Sequence, residues 1–472
     1  MKPIYFLILI VLISIIPRPS MKLHAQEILF RMPEETGQHE GTWLQWPHDY
    51  TYGAGYRDDV ESTWIEMTRG LVTGENVHII AYNNQEELHI IQVLTNANVP
   101  LTRIDFYIYP TDDFWVRDNG PIFVYDNESN QLITDWGFNG WGNRYPYENC
   151  DIIPELVSED IGIPRVDLSA VVLEGGSIEV DGNGTLMATR SSIINNNRNP
   201  DLSQSQIEEY LTIYLGISHF IWLDGVPNLD ITDFHIDGFA RFYDSSTIVC
   251  LDEAGLVDWG TPDSDIDILL SAQNIEGNDY DFVFLPLTQN NVVTAYGQNL
   301  GYKGSYVNYY IGNSVVLVPH YSDPNDDVVI SILENLYPNR TVVGVDVRNM
   351  YAGGGMIHCV TQQQPIDLTS IGTEGNLDNI FLFQLRQNYP NPFNLNATIP
   401  YSLTKASTVT IKIYNASGQL VKTLVDGNVS AGQHEAVWDG TDNAAQTVSS
   451  GIYFYKMKAE GFRRIKWMTL IK

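Results

Sequence analysis

Three kinds of side chain in this sequence could make or break a covalent bond, and they lie far apart along the chain. Cys359 closes the stretch GGGMIHC. A thiolate is the strongest nucleophile a protein offers near neutral pH. His235 stands two residues ahead of Asp237 in FHID, and an imidazole with an ordinary pKa of about 6.5 can both give and take a proton. Asp118, Glu174 and Asp237 bring carboxylates, which match planar N–H donors through paired, charge-assisted hydrogen bonds. Each has a bland alternative: a lone cysteine is usually a small buried apolar residue, and a lone histidine a hydrogen-bonded core residue. The His-x-Asp spacing places His235 and Asp237 on one face of a strand, which favours a shared site. By the same alternation His358 points away from Cys359 and is read as structural. Arg117 is read as a partner in a structural ion pair, Asp181 and Gly182 as a turn, and Cys150 and Cys250 as structural.

Asp118, Glu174, His235, Asn308 and Cys359 are separated by 56, 61, 73 and 51 residues. The elements between them repeat one plan from about residue 40 to 365: a polar or thiol residue, a hairpin-like β pattern, an amphipathic helix, then a β-rich stretch. After His235, HIDGFARFYDSSTIVCLD reads as a hairpin, SDIDILLSAQN as a helix and DFVFLPL as a strand. YVNYYIGNSVVLVP, DDVVISILENLY and TVVGVDV repeat the order, and so do EGGSIEVDGNGTLMAT, LSQSQIEEYLTIYLG and ISHFIWL. A unit from RDNGPIFVYD with a helix near Ile152–Glu159 precedes them. The first unit holds GTWLQWPH, VESTWIEMTRGLV and VHIIAYN. Repetition at this period points to a radial, propeller-like α/β fold, in which one residue per unit reaches a common axis. No GxGxxG or P-loop supports nucleotide binding.

At 472 residues the chain exceeds one typical domain. Residues 1–25 read as a signal peptide, with Lys2, an apolar stretch from Ile4 to Ile16, and Ala25 at the cleavage position. The net charge is −32. From Gln26 to Asp378 there are 53 acidic and 13 basic residues, and 13 − 53 = −40, whereas from Asn379 onward 10 basic residues face 5 acidic ones. Such an acidic region excludes nucleic acid as a partner. It fits either long-range attraction of a cationic substrate or simple solubility. Three cysteines leave at least one free thiol, and no CxxC or His/Cys cluster indicates a zinc site.

Four stretches, FWVRDNGPIFV (114–124), VLEGGSIEVDGNGTLMATRSSIINNNRNP (172–200), FHIDGFARF (234–242) and GGGMIHCVTQQQP (353–365), resemble the agmatine deiminase and bacterial peptidylarginine deiminase family. MPEETGQHEGTWLQWPH, FNGWGNRYPY and SYVNYYI add to the resemblance, which spans roughly residues 30–365. It implies a five-bladed pseudo-symmetric α/β propeller, the pentein fold. It also implies hydrolysis of a guanidino group to a ureido group and ammonia through a covalent amidino-thioether, without metal or organic cofactor. By this resemblance Cys359 is the nucleophile, His235 the general acid and base, and Asp118 and Asp237 the guanidinium-binding carboxylates. Glu174 lines the pocket and orients His235, Trp115 packs on the substrate's aliphatic stem, and Asn308 makes a polar contact. Gly353, Gly354 and Gly355 let the backbone approach the substrate. Carboxylates beside Cys359 should raise its pKa above about 8.5, so that a bound guanidinium assists formation of the thiolate.

The resemblance leaves the substrate open. Agmatine deiminases carry DDTHGHID where this chain reads DITDFHID (230–237), so Asp233 and Phe234 depart. The bacterial peptidylarginine type carries paired arginines for a C-terminal carboxylate, whereas FNGWGNRYPY offers Arg144 alone. Agmatine, an arginine peptide, free arginine, or ligand binding without catalysis stand as alternatives, and the oligomeric state is not legible. Residues 366–378 read as a linker between the catalytic region 26–365 and an all-β sandwich at 379–472. QNYPNPFNLNATIPYSL, IKIYNASGQLVKTL, AGQHEAVWDGTD and SSGIYFYKMKAEG resemble a type IX secretion sorting domain, implying type IX machinery as a partner and a secreted or surface location.

Overall fold

Short hairpins and amphipathic helices alternate through the larger part of the chain, as the sequence periodicity requires. The computed structural model describes residues 30–368, 384–385, 388–403, 406–415, 418–459 and 462–472. The expected signal segment and most of the expected linker lie outside the described residues.

Residues 30–368 form five small sheets, four of which are built on a hairpin followed by a parallel strand. One sheet pairs Ile122–Asp126 with Gln131–Gly137 antiparallel, adds Arg165–Val172 in parallel, and takes Phe30–Arg31 on its outer edge. The next pairs Ile178–Val180 with Thr185–Thr189 and adds His219–Leu223. Ala240–Asp244, Thr247–Leu251 and Asp281–Leu285 repeat the plan, as do Tyr310–Ile311, Val315–His320 and Thr341–Asp346. The fifth sheet joins the two ends of this region. Gln362–Pro365 pairs antiparallel with His39–Gln45, which runs parallel to Asn76–Ala81, itself parallel to Ile104–Ile108. Helix Asn84–Asn96 and strand Ile104–Ile108, which extend this sheet, were not anticipated from the sequence pattern.

Helix Gln204–Leu215 shows how local sequence sets a parallel crossover. Ser203 and Gln206 form a reciprocal capping box at its start, and Gly216 ends it with φ of 78°. Ile207, Leu211 and Leu215 recur every fourth residue, so one face of the helix is buried. Each such side chain contributes about 1.5–3 kcal/mol by leaving water. That face returns the chain beside Thr185–Thr189, with which His219–Leu223 pairs.

The C-terminal region is all β. Gln384–Leu385, Ala397–Leu403 and Gly432–Trp438 make one antiparallel sheet. Leu420–Val429, Ser407–Asn415, Gly451–Ala459 and Phe462–Leu470 make a second. Alternating side chains of both sheets, among them Ile399, Ile411, Trp438 and Tyr455, share one buried core.

Candidate active site

Each candidate side chain sits in or next to a single tight turn, just ahead of the first strand of a sheet. Trp115 caps the turn Val116–Asn119, which carries Asp118 and leads to Ile122–Asp126. Glu174 and the turn Gly175–Ser177 precede Ile178–Val180, and His235 with the turn Ile236–Gly238 precedes Ala240–Asp244. Asn308 lies just before Tyr310–Ile311, and Cys359 is within the turn His358–Val360 before Gln362–Pro365. His235 and Asp237 are therefore brought together by a 3-10 turn, not by the strand face read from their spacing.

Asp237 is the meeting point. Its Oδ2 is 3.9 Å from Cys359 Sγ. Asn308 holds the same sulfur, with Nδ2 at 3.4 Å and Oδ1 at 3.5 Å. A Cβ added to Gly176 would stand 2.7 Å from Asp118 Oδ1, 2.7 Å from His235 Nδ1 and 3.1 Å from Asp237 Oδ2. The three groups thus converge over one bare backbone position. Asp118 accepts hydrogen bonds from Gly176 N at 3.0 Å and Trp141 Nε1 at 2.9 Å. His235 is 2.8 Å from Glu174 through Nε2 and 3.7 Å from Asp118 through Nδ1. Arg198 clamps Glu174 at 3.2 Å and pairs with Asp233 at 2.9 Å. Cys150 and Cys250 are free and buried, whereas the free Cys359 is only half-buried.

These contacts set the protonation states. Burial pushes the Cys359 thiol well above its ordinary value, and the charges of Asp237 and Asp118 add to the shift. Burial likewise pushes Asp118 up to about 6, with Glu174 and Asp237 adding to it against the opposing pull of His235. Burial acting alone would lower His235; Asp118, Glu174 and Asp237 outweigh it and push the imidazole up to about 9. Asp237 is held below the usual carboxylate range because His358, His235 and Arg117 outweigh its burial. The resting arrangement is thus a thiol, an imidazolium and one firmly ionised carboxylate.

One more reading needs correction. His358 is not turned away from Cys359: in a 3-10 turn both reach Asp237, with His358 Nδ1 2.8 Å from Oδ2. Arg117 does make a structural ion pair, as expected, and its partner is Glu35 at 3.2 Å, a residue left without a role in the sequence reading although it stands in the stretch MPEETGQHE. Gly355 lies against the Trp115 indole, where a Cβ would overlap the ring, and Gly354 has φ of 97°. These glycines let Trp115 and the turn pack. Arg198, Glu179 and Arg241 were also missed.

The two departing positions, Asp233 and Phe234, have φ of 61° and 79°, the left-handed region that favours glycine. Their side chains hold them there. Asp233 accepts from Arg144, Arg198, Asn197 and Asn228 N, and Phe234 is buried against Phe239, with ring centroids 4.9 Å apart.

Residues 31–365 match the family model of the Porphyromonas-type peptidyl-arginine deiminases, and residues 395–461 match that of the FlgD Ig-like domain. Agmatine deiminase of Pseudomonas aeruginosa (strain LESB58) is 32% identical over 365 residues, covering 71% of this chain and 95% of the relative. The solved agmatine deiminase of Enterococcus faecalis superposes with a TM-score of 0.63 at 26% identity, over 72% of this chain and 96% of that one. That of C. jejuni gives 0.61 at 25% identity, over 73% and 99%. Fold, site and relatives define a hydrolase of C–N bonds in linear amidines, a guanidino deiminase. The chain belongs to the Porphyromonas-type peptidyl-arginine deiminase family.

Proposed function

We propose that the protein hydrolyses agmatine to N-carbamoylputrescine and ammonia at Cys359, within five sheets set about a common axis as a pentein propeller. The observation that carries the reading is the half-buried sulfur of Cys359 beside Asp237, with Asp118 and His235 sharing the backbone of Gly176.

The guanidinium enters between Asp118 and Asp237, which accept its N–H bonds, while Trp115 borders its aliphatic stem. Its positive charge offsets the carboxylates and favours the Cys359 thiolate. The sulfur attacks the guanidinium carbon to give a tetrahedral adduct. Protonated His235 then gives its proton to the departing nitrogen, the C–N bond breaks, and ammonia leaves an amidino-thioether. The now neutral His235 takes a proton from water as its oxygen attacks the same carbon. Collapse breaks the C–S bond, returns the thiolate and leaves the ureido product as the adduct's hydroxyl gives up its proton, which ends on the released ammonia. Over the cycle one water is consumed and one ammonium ion is released.

Agmatine is favoured over a substrate with a carboxylate by the state of Arg144. Its guanidinium is already bonded to Asp233 at 3.0 Å, to Asn228 Oδ1 at 2.8 Å and to the carbonyl of Ile231, so it has little left to offer a C-terminal carboxylate. A colour assay for ureido product with agmatine, free arginine and C-terminal-arginine peptides tests the reading. Product from agmatine alone supports it, and product from peptides replaces it with the peptidylarginine activity. Ligand binding without product from any guanidine points to a surface binding protein.

The signal-like residues 1–25 and the C-terminal β region support passage through the inner membrane and then, as a type IX sorting domain, across the outer membrane to the cell surface or medium. In a host with type IX machinery, the full chain then reaches the surface and a chain ending at residue 378 stays in the periplasm.

A further inference from the structure

Beneath the reacting groups lies a buried set of charges that meets them at Asp237. Its centre is Glu35, in the loop ahead of strand His39–Gln45. Glu35 Oε2 is 3.2 Å from Arg117, 3.0 Å from Arg241 and 2.9 Å from His358 Nε2, and Oε1 accepts from Ile311 N at 3.0 Å. Arg241 also pairs with Glu179 at 2.7 Å. Arg117 donates to the His358 carbonyl at 3.2 Å and to Gln363 at 2.8 Å. The remaining His358 nitrogen, Nδ1, is 2.8 Å from Asp237 Oδ2. All six charged side chains are buried.

His358 is thus wedged between two carboxylates. Glu35 is held well below the usual carboxylate range, because Arg241, His358 and Arg117 outweigh its burial, and Asp237 is held low as well. Each ring nitrogen therefore lies within hydrogen-bond distance of a carboxylate oxygen, and a carboxylate that is ionised only accepts, so two donated bonds are the geometry's natural complement. With His358 positive, three acids (Glu35, Glu179, Asp237) balance three bases (Arg117, Arg241, His358). A neutral ring would leave one uncompensated buried charge and set a nitrogen lone pair against a carboxylate, which burial penalises heavily.

We propose that Glu35 and His358 are positioning residues of the deiminase: Glu35 holds His358 as an imidazolium, and His358 in turn fixes Asp237 through Oδ2, the oxygen that faces Cys359 and Gly176. This rests on the deiminase reading. The same bond balances the Asp237 charge that lies 3.9 Å from Cys359 Sγ. Losing it frees Asp237 to rotate and leaves its charge unopposed beside the sulfur, so the substrate carboxylate and the nucleophile are disturbed together.

Two measurements on the full chain test this. In the 15N spectrum of the histidine rings at pH 8, assigned by comparison with His358→Gln, His358 shows two protonated nitrogens. A neutral-ring signal overturns the proposal, and this wild-type spectrum requires no variant to fold and no turnover. In steady-state assays with agmatine, Glu35→Gln, which keeps shape but removes charge, lowers kcat/KM about 100-fold, the scale for a misplaced catalytic group. Glu35→Asp retains more activity than Glu35→Gln, and His358→Gln falls with it. Full activity in Glu35→Gln overturns the proposal. Absence of turnover in the wild-type protein defeats the deiminase reading instead, and the ring spectrum then still decides the protonation of His358.

Discussion

His235 Nε2 lies 2.8 Å from Glu174 Oε2, and that carboxylate is itself clamped by Arg198. The row Asp233–Arg198–Glu174–His235 alternates in sign and ends on the imidazole, whose other nitrogen is left toward Asp118. One edge of the ring is thereby spent on orientation, and the other is turned to the reacting groups.

That row sets a pH profile. As pH falls through about 6, Asp118 gains a proton and loses the charge that receives a guanidinium. As pH rises through about 9, His235 loses the proton it must donate. The plot of log kcat/KM for agmatine against pH is therefore a bell with limbs near these values, which belong to the coupled groups together. Glu174→Gln removes a charge that raises His235, so its alkaline limb moves to lower pH. A limb that stays in place counts against this assignment.

Alkylation by iodoacetamide, a neutral reagent, reads the thiol directly. In the free protein the rate rises with a midpoint above about 8.5, the ordinary cysteine value, because burial and the charges of Asp237 and Asp118 oppose ionisation. Asp237→Asn shifts the midpoint down. Mass mapping finds the label on Cys359, with the buried Cys150 and Cys250 unmodified while the protein stays folded. Cys359→Ser abolishes turnover and retains the circular dichroism of the parent.

Gly176→Ala tests the convergence of the site without altering any charged group. The new methyl carbon would stand 2.7 Å from both Asp118 and His235, so those side chains must move apart. A displacement on the order of 1 Å lowers kcat/KM about 100-fold. An alanine variant with unchanged kinetics would show that these groups do not act in the arrangement described.

Asp233→Asn removes the anion facing Arg198, both side chains being fully buried. Urea unfolding is expected to show a loss of about 3 kcal/mol, the lower end for breaking a buried pair, because Arg198 keeps Glu174 as a partner. No loss would mean that the other partners of residue 233 and the packing of Phe234 suffice to hold the loop.

The sequence made Asp118, Glu174, His235, Asp237, Asn308 and Cys359 legible because each stands in a stretch whose residue types serve one chemistry. The hairpin, helix and strand of each sheet were legible because their apolar periods differ. Glu35 and His358 were not, because their meaning is a contact between residues 323 positions apart. The strand Gln362–Pro365 was hidden for another reason: QQQP is polar yet fully buried, its glutamines bonding to Trp43 and the Pro121 carbonyl. The turn that carries Cys359 reads locally like a strand, and this misassigned the direction of His358.

The pairing of Gln362–Pro365 with His39–Gln45 has a temporal side. The nucleophile precedes the last strand of the catalytic region by three residues, and that strand pairs with one of the earliest. A ribosome must complete nearly the whole catalytic region before the sulfur can meet its acid, so nascent or interrupted chains are inert. Relocating the termini to an exposed loop, with the old ends fused, would change that order of assembly and leave the finished machinery intact.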